Sequence, residues 1–438
     1  MSGGTADLLI ERIGAAGDGV AALDDGTPVF VAGALPGERV RARLLGRRGE
    51  GQAAVAEAIL APGPDRVAPP CPHFLDGCGG CALQHWADAP YAAWKRERVA
   101  AALERAGYAR PAVAEPARTP PRARRRADFA LRRAPDGSVA IGFHLRGSSA
   151  VLDLTDCCIL DPRLFALLDP LRIALRSLNA LRREGSAIVN LLDTGPDLLL
   201  RTDAPLTPAD RAALAAFAQA QAIARIAHAR GDAAPETAAQ LGPATIRFAG
   251  VEVTPPPGAF LQASPQGEAA IVAAVLAGLP ERLSARARIA DLYAGVGTLT
   301  FPLAARARTF AFEGAAEALA ALDAAARRSG VARVEAHRRD LARQPLLPTE
   351  LAQFAAVVLD PPYAGAAAQV AQIARAAHDA RPPRVIYVSC NPAALARDAA
   401  VLRRAGYTLL AATPVDQFLW SAQIEAVAVF ARGSARGA

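Results

Sequence analysis

The chain has 438 residues, 52% hydrophobic and 21% charged, too long for one core and long enough for two or three domains. No apolar run reaches the ~18 residues a membrane-spanning helix needs, and MSGGTADLLIERIG lacks a basic region followed by an apolar core, so a cytoplasmic protein is expected rather than a secreted one. Lys and Arg number 49 against 42 Asp and Glu, a net charge of +7 that fits a polyanionic partner, while six unevenly spread cysteines follow no disulfide framework and point to metal binding and catalysis.

Residues 7–60 hold short β-favouring pieces, DLLIERIG, GVAAL, TPVFVAG and ERVRARLL, separated by Gly, Asp and Pro turns, and predict a small five-stranded barrel. Arg39, Arg41, Arg43, Arg47 and Arg48 lie on and after one of these strands, as a phosphate-binding face or a solvated basic edge. LAPGPDRVAPPCP then breaks all periodicity and reads as a linker.

Cys71, Cys78 and Cys81 follow, beside Gly79 and Gly80, which let the backbone turn tightly around an ion or cluster. A fourth ligand must come from elsewhere, and Cys157 or Cys158 in DCCILDP can supply it. Four thiolates suit a [4Fe–4S] cluster; zinc held by three cysteines with His73 or His85 is the competing reading. Residues 118–133, RTPPRARRRADFALRR, place Arg122, Arg124, Arg125 and Arg126 in a dense run before Phe129, and a nucleic-acid contact is expected there. Beyond it come two strands, SAIVNLLDT and PDLLLRTD, and one long helix, PADRAALAAFAQAQAIARIAHA, with no catalytic constellation.

From Gln266 onward helix and strand alternate, which predicts a doubly wound, mainly parallel α/β sheet. Asp291 opens DLYAGVG on a strand-to-helix turn, and Glu313 ends the next strand, where an acid can accept hydrogen bonds from a ribose diol. The third position of a G-x-G-x-x-G pattern is Thr300 and nothing nearby cradles a pyrophosphate, so S-adenosylmethionine fits better than a dinucleotide. Asp340 ends the third strand, within reach of an adenine amino group, and Asp360 of DPPY closes the fourth beside the cofactor's reactive end. RVIYVSCNP then reads as a buried strand that delivers Ser389 and Cys390 to its tip. Helix-terminal N–H groups beyond Pro392 are expected to favour the Cys390 thiolate.

The combination FLQAS, DLYAGVGTLTFPLA, FEG, LDPPY, SCNP and a late Glu425, behind a barrel and the Cys71/Cys78/Cys81 group, resembles the S-adenosylmethionine-dependent RNA uracil-5-methyltransferases, specifically the iron–sulfur branch acting on 23S ribosomal RNA. The resemblance implies an OB-like TRAM barrel at 1–60, an α+β iron–sulfur and RNA-binding region at 61–255 and a Rossmann-like class I methyltransferase domain at 256–438. It implies a cofactor pocket on Gln262, Tyr293, Glu313 and Asp340, with Asp360 at the junction of cofactor and target base. Cys390 would be the nucleophile that adds to carbon 6, Glu425 the general base, and Cys157 rather than Cys158 the fourth cluster ligand. Three positions depart from the family pattern, with Ser264 and Thr298 where asparagine is usual and Gln423 where histidine is, and the first cysteine spacing is one residue long. The alternatives are a transfer RNA substrate, an amino-directed adenine or guanine methyltransferase using DPPY, and a catalytically silent iron–sulfur protein that binds RNA or senses redox state.

Overall fold

The computed structural model describes residues 4–433. They fold as two compact units, one built from 4–94, 143–158 and 418–423, the other from 95–142, 159–417 and 424–433.

In the first unit, strands Thr5–Leu9, Arg39–Arg48, Gly51–Ala61, Pro28–Ala32, Gly19–Ala22 and Arg12–Ile13 form one six-stranded sheet in that order. It curls around Leu8, Ile10, Val29, Val31, Val40 and Ala42. The strand missing from the sequence reading is Gly51–Ala61, whose alanine-rich text carries little β propensity of its own. Pairing on both edges compensates, antiparallel to Arg39–Arg48 and parallel to Pro28–Ala32. Three of the basic residues on the long strand are engaged by carboxylates: Arg41 by Asp7, Arg43 by Glu57 and Arg48 by Asp18.

The middle of the chain forms a second sheet, in which Val139–His144, Arg126–Arg133, Glu184–Leu192, Gly195–Thr202, Arg225–Arg230 and Glu236–Gln240 are neighbours in that order. The helix expected to run through IARIAHA stops early, at Pro208–Ala220. Thr207 and Asp210 close its N-terminus as a reciprocal capping box. The chain then turns at Ala222, with φ of 50°, and Arg225–Arg230 becomes a strand parallel to Gly195–Thr202. Ile223, Ile226 and Ala227 are fully buried there, so tertiary burial overrides alanine's helix propensity.

The last sheet follows the expected alternation. In chain order its seven principal strands are Arg288–Leu292, Arg308–Glu313, Val334–Arg338, Ala356–Leu359, Arg384–Ser389, Tyr407–Asp416 and Glu425–Arg432. In space they run third, second, first, fourth, fifth, seventh, sixth, and Ala117–Arg118 adds to the far edge. The first five are parallel, and the seventh is inserted antiparallel between the fifth and the sixth. Both faces are covered: Val385 and Tyr387 pack with Val370, Ile373, Leu395 and Leu402, whereas Ile386 and Val388 pack with Ile271, Val275, Leu299 and Leu303. The strand order reverses at the first strand, and the crevice beyond the carboxyl ends at such a switch point is where this architecture places ligands. No helix among the described residues is long and apolar enough to cross a membrane.

Candidate active site

Cys390 sits at the tip of the fifth strand, half-buried, just before the helix Pro392–Arg404. Asn391 builds the turn: its Oδ1 accepts from Ala393 N at 3.0 Å as the helix N-cap, and its Nδ2 donates to the carbonyl of Tyr363 at 2.9 Å. Asp398, on the inner face of the same helix, accepts from Ala366 N at 2.8 Å and from the Tyr387 hydroxyl at 2.6 Å. The Cys390 turn and the loop after Asp360 are thereby tied to one helix. The antiparallel register pairs Ser389 with Ala426, which brings the next residue on one strand, Cys390, beside the preceding residue on the other, Glu425.

The expected thiolate is not what this environment favours. Burial pushes the Cys390 thiol up to about 11, and the carboxylates of Glu425 and Asp360 push in the same direction. Without a cationic ligand, two neighbouring acids and desolvation outweigh the helix N-terminus.

Glu425 is buried, and burial raises its carboxyl well above the usual range, followed by the Asp360 charge, against a hydrogen bond from Gln417. Burial likewise raises Asp360. Gln417, also buried, stands between the site residues: its Nε2 donates to Gln262 Oε1 at 2.7 Å and to Glu425 Oε2 at 3.0 Å, and its Oε1 accepts from Ala263 N at 2.9 Å. Gln262 Nε2 in turn faces Asp360 Oδ2 at 3.4 Å. Ser264, the departure from asparagine, caps the helix Pro265–Gly278 by accepting from Gly267 N at 3.0 Å, a role either residue can fill.

The crevice beside the first strand carries the remaining candidates. Glu313 accepts from Gly295 N at 2.8 Å and from Ala315 N at 2.7 Å, so it lies against the glycine turn. Tyr293, with φ of 65°, is half-buried, and its phenol is pushed up to about 12 by burial and then by Asp398, Asp340 and Glu313. Asp340 is about half exposed and caps its own turn through Ala342 N at 3.1 Å. A Cβ added to Gly295, φ 56°, would meet nothing within 4 Å, which leaves open space over the turn. Asp291 is fully buried; Oδ2 accepts from Thr300 at 2.5 Å while Oδ1 has no partner. These acids crowd one another, an arrangement that suits a cationic sulfonium and repels a pyrophosphate.

Burial, reinforced by Asp360 and Glu313, raises Asp291 from 3.8 to about 7. A carboxyl raised in the folded state contributes stability that is complete below the unfolded value and is lost as pH climbs through the folded one. Thermal unfolding of Asp291→Asn should therefore lose less stability than wild type between about pH 4 and about pH 7. Parallel curves for the two proteins would remove Asp291 from this balance.

The arginine run behaves differently from its reading as a nucleic-acid contact. Arg125 is buried, with Nη2 2.5 Å from Glu268 Oε2 and Nε donating to the Gln262 carbonyl at 3.2 Å, so it anchors the irregular segment around Gln262 and offers nothing to phosphate. Arg126 lies 5.7 Å over the ring of Phe260, and only Arg122 of the four is largely exposed. Phe129 is core.

In the first unit, Cys71, Cys78, Cys81 and Cys157 are buried and outside any disulfide. Burial pushes Cys81 up to about 12, and the sulfurs of Cys157, Cys78 and Cys71 add to it, so the four face a common region. Among the described residues no three such side chains stand in ligating geometry. The donor set nonetheless fits a thiolate-bound group, because four buried thiols gathered in one region are the chemistry a cationic centre relieves. His73 has both ring nitrogens engaged, by Asp76 at 2.9 Å and by Thr155, which takes it out of the zinc alternative. The Cys158 thiol points to the Pro70 carbonyl at 3.5 Å.

Sequence reasoning passed over Gln417 and Asp398. Each had a signal: an amide ahead of the apolar FLW that precedes Glu425, and an acid on the Leu395/Ala399/Leu402 stripe of a helix.

Comparison with known proteins agrees with this architecture. Residues 1–45 match the TRAM domain and residues 264–432 match the tRNA (Uracil-5-)-methyltransferase family. An RNA methyltransferase of Caulobacter vibrioides, itself uncharacterized, is 43% identical over 97% of this chain and 100% of its own. The 23S rRNA (uracil(1939)-C(5))-methyltransferase RlmD of Pseudomonas putida is 39% identical over 97% of this chain and 93% of its own. The structure of a Pyrococcus abyssi tRNA (uracil-54, C5)-methyltransferase, solved with S-adenosyl-L-homocysteine, shares the fold with a TM-score of 0.72 at 19% identity, covering 97% of this chain and 100% of that one. With a TRAM domain ahead of a class I methyltransferase sheet and relatives of this identity along almost its full length, the chain belongs to the S-adenosylmethionine-dependent RNA (uracil-5-)-methyltransferase family.

Proposed function

We propose that this cytoplasmic protein methylates carbon 5 of a uridine in 23S ribosomal RNA, with Cys390 as nucleophile and Glu425 as base. The observation that carries the assignment is the Ser389–Ala426 register, which sets a thiol and a buried carboxylate side by side at one strand tip. S-adenosylmethionine supplies an electrophilic methyl group, and Gln262, Tyr293, Glu313 and Asp340 line the crevice that would hold it, with Asp360 toward the base. Carbon 5 of uracil is a poor nucleophile until a sulfur adds to carbon 6, and that is the part Cys390 plays. The target base must leave its stack to reach a half-buried thiol. Once carbon 5 carries the methyl group, Glu425 takes its proton, the C–H pair becomes the C5–C6 double bond, and the C6–S bond breaks with its pair returning to sulfur. An amino-directed transfer would require neither residue. Incubation with ribosomal and transfer RNA, followed by mass spectrometric mapping, should yield 5-methyluridine in 23S RNA; methylated adenine or guanine would reject the reading.

Cys71, Cys78, Cys81 and Cys157 are, in the same proposal, the ligands of a [4Fe–4S] cluster that holds the first unit together. Anaerobically purified protein should be brown with about four irons per chain. Cys157→Ser should lose the iron and Cys158→Ser keep it; one zinc and no iron would overturn the assignment.

A further inference from the structure

We propose that Gln417 is a positioning residue for the proton-removal step: it decides which oxygen of Glu425 is free to act and which way the Gln262 amide faces. The inference rests on the uracil-5 reading above. Its starting point is the Ala263 backbone N–H, which can only donate, so the Gln417 atom 2.9 Å away must be the carbonyl oxygen. The amide nitrogen is then directed inward, and its two hydrogens are both committed, one to Gln262 Oε1 at 2.7 Å and one to Glu425 Oε2 at 3.0 Å. Two consequences follow from donor and acceptor counting. Gln262 presents oxygen to Gln417 and so must present its NH₂ to Asp360, 3.4 Å away. Glu425 Oε2 already has one lone pair engaged and its basicity lowered by the Gln417 N–H, so Oε1 is the more basic oxygen and takes the proton lifted from carbon 5.

Two further features hold Gln417 in place. Asp416 is locked by a buried ion pair with Lys95 at 2.8 Å, which fixes the chain just ahead of it. On the other side Gly267 leaves a seat, since a Cβ there would stand 2.6 Å from the Gln417 Cβ. A buried side chain with both amide hydrogens and its carbonyl oxygen engaged, and a glycine opposite, has one orientation available.

The test separates proton removal from methyl transfer, using RNA tritiated at uridine carbon 5 and methyl-labelled cofactor. Gln417→Leu should still methylate and still bind S-adenosylmethionine within about threefold, but release tritium about 10- to 100-fold more slowly and accumulate a methylated protein–RNA adduct on denaturing gels. Gly267→Ala, which displaces the side chain without removing it, should show the same pattern more weakly, and Gln417→Glu, which cannot donate in its ionised form, should resemble Gln417→Leu. If Gln417→Leu does not fold, these two variants carry the same readouts. Tritium release at the wild-type rate without adduct, or methylation and release slowed equally, would overturn the role of Gln417. A wild-type enzyme that methylates RNA without releasing tritium would instead overturn the uracil-5 reading itself.

Discussion

Replacing Cys390 by alanine is expected to end methylation and to leave no covalent protein–RNA complex, a loss on the order of 10⁴-fold or more in rate, since without addition to carbon 6 the ring is never activated. The cofactor should still bind, because the crevice around Glu313 and Asp340 does not use the thiol. Glu425→Gln should fail later. It should add and methylate, then stall as an adduct that already carries the methyl group, with turnover down by about 10²- to 10⁴-fold, the usual share of a general base. Methyl-labelled cofactor and denaturing electrophoresis read both outcomes: label travels with the adduct in Glu425→Gln, and no adduct forms in Cys390→Ala. Full turnover by Glu425→Gln would show that another group removes the proton. The raised Cys390 thiol adds a pH signature, because adduct formation by the wild-type protein should accelerate as pH rises toward the thiol's value.

Arg125→Ala is expected to destabilise the second unit by about 3–5 kcal/mol, the usual cost of removing one member of a buried ion pair. Glu268, already raised by burial, would lose the guanidinium 2.5 Å away, and the Gln262 carbonyl would lose a donor. Chemical denaturation should show the loss, and Arg125→Met combined with Glu268→Gln should recover most of it, because no charge is then left buried. The salt dependence of RNA affinity should hardly move in the double variant. A stable Arg125→Ala protein with a flattened salt slope would return this arginine to the phosphate contacts.

The two predictions mark where the sequence was legible. Strand tips bearing Asp291, Glu313, Asp360 and Cys390 could be read because apolar runs ending in an acid or thiol before a helix have one common structural meaning. Arg125 could not, since a basic run on paper shows charge density and not burial; the alternation of strand Arg126–Arg133 and the partner at Glu268 appear only in three dimensions. The strand hidden in IARIAHA failed for a related reason, because alanine reports neither period strongly and its neighbours across the sheet decide the outcome. Gln417 carried only a faint signal in the sequence, because its role depends on an acceptor 155 positions away.

The inserted seventh strand bears on the order in which a working enzyme comes into being. Translation delivers Cys390 ahead of Glu425, and the segment 418–423, whose Trp420 carbonyl receives Ala82 N at 2.8 Å and Leu83 N at 2.9 Å next to the cysteine group, also emerges late. Domains of most nascent chains mature from the N-terminus onward. Here neither unit can finish until the ribosome has almost reached the final strand. A partly made chain would therefore carry Cys390 without Glu425, so the pair proposed to act on the uridine is assembled only when the last strand is in place.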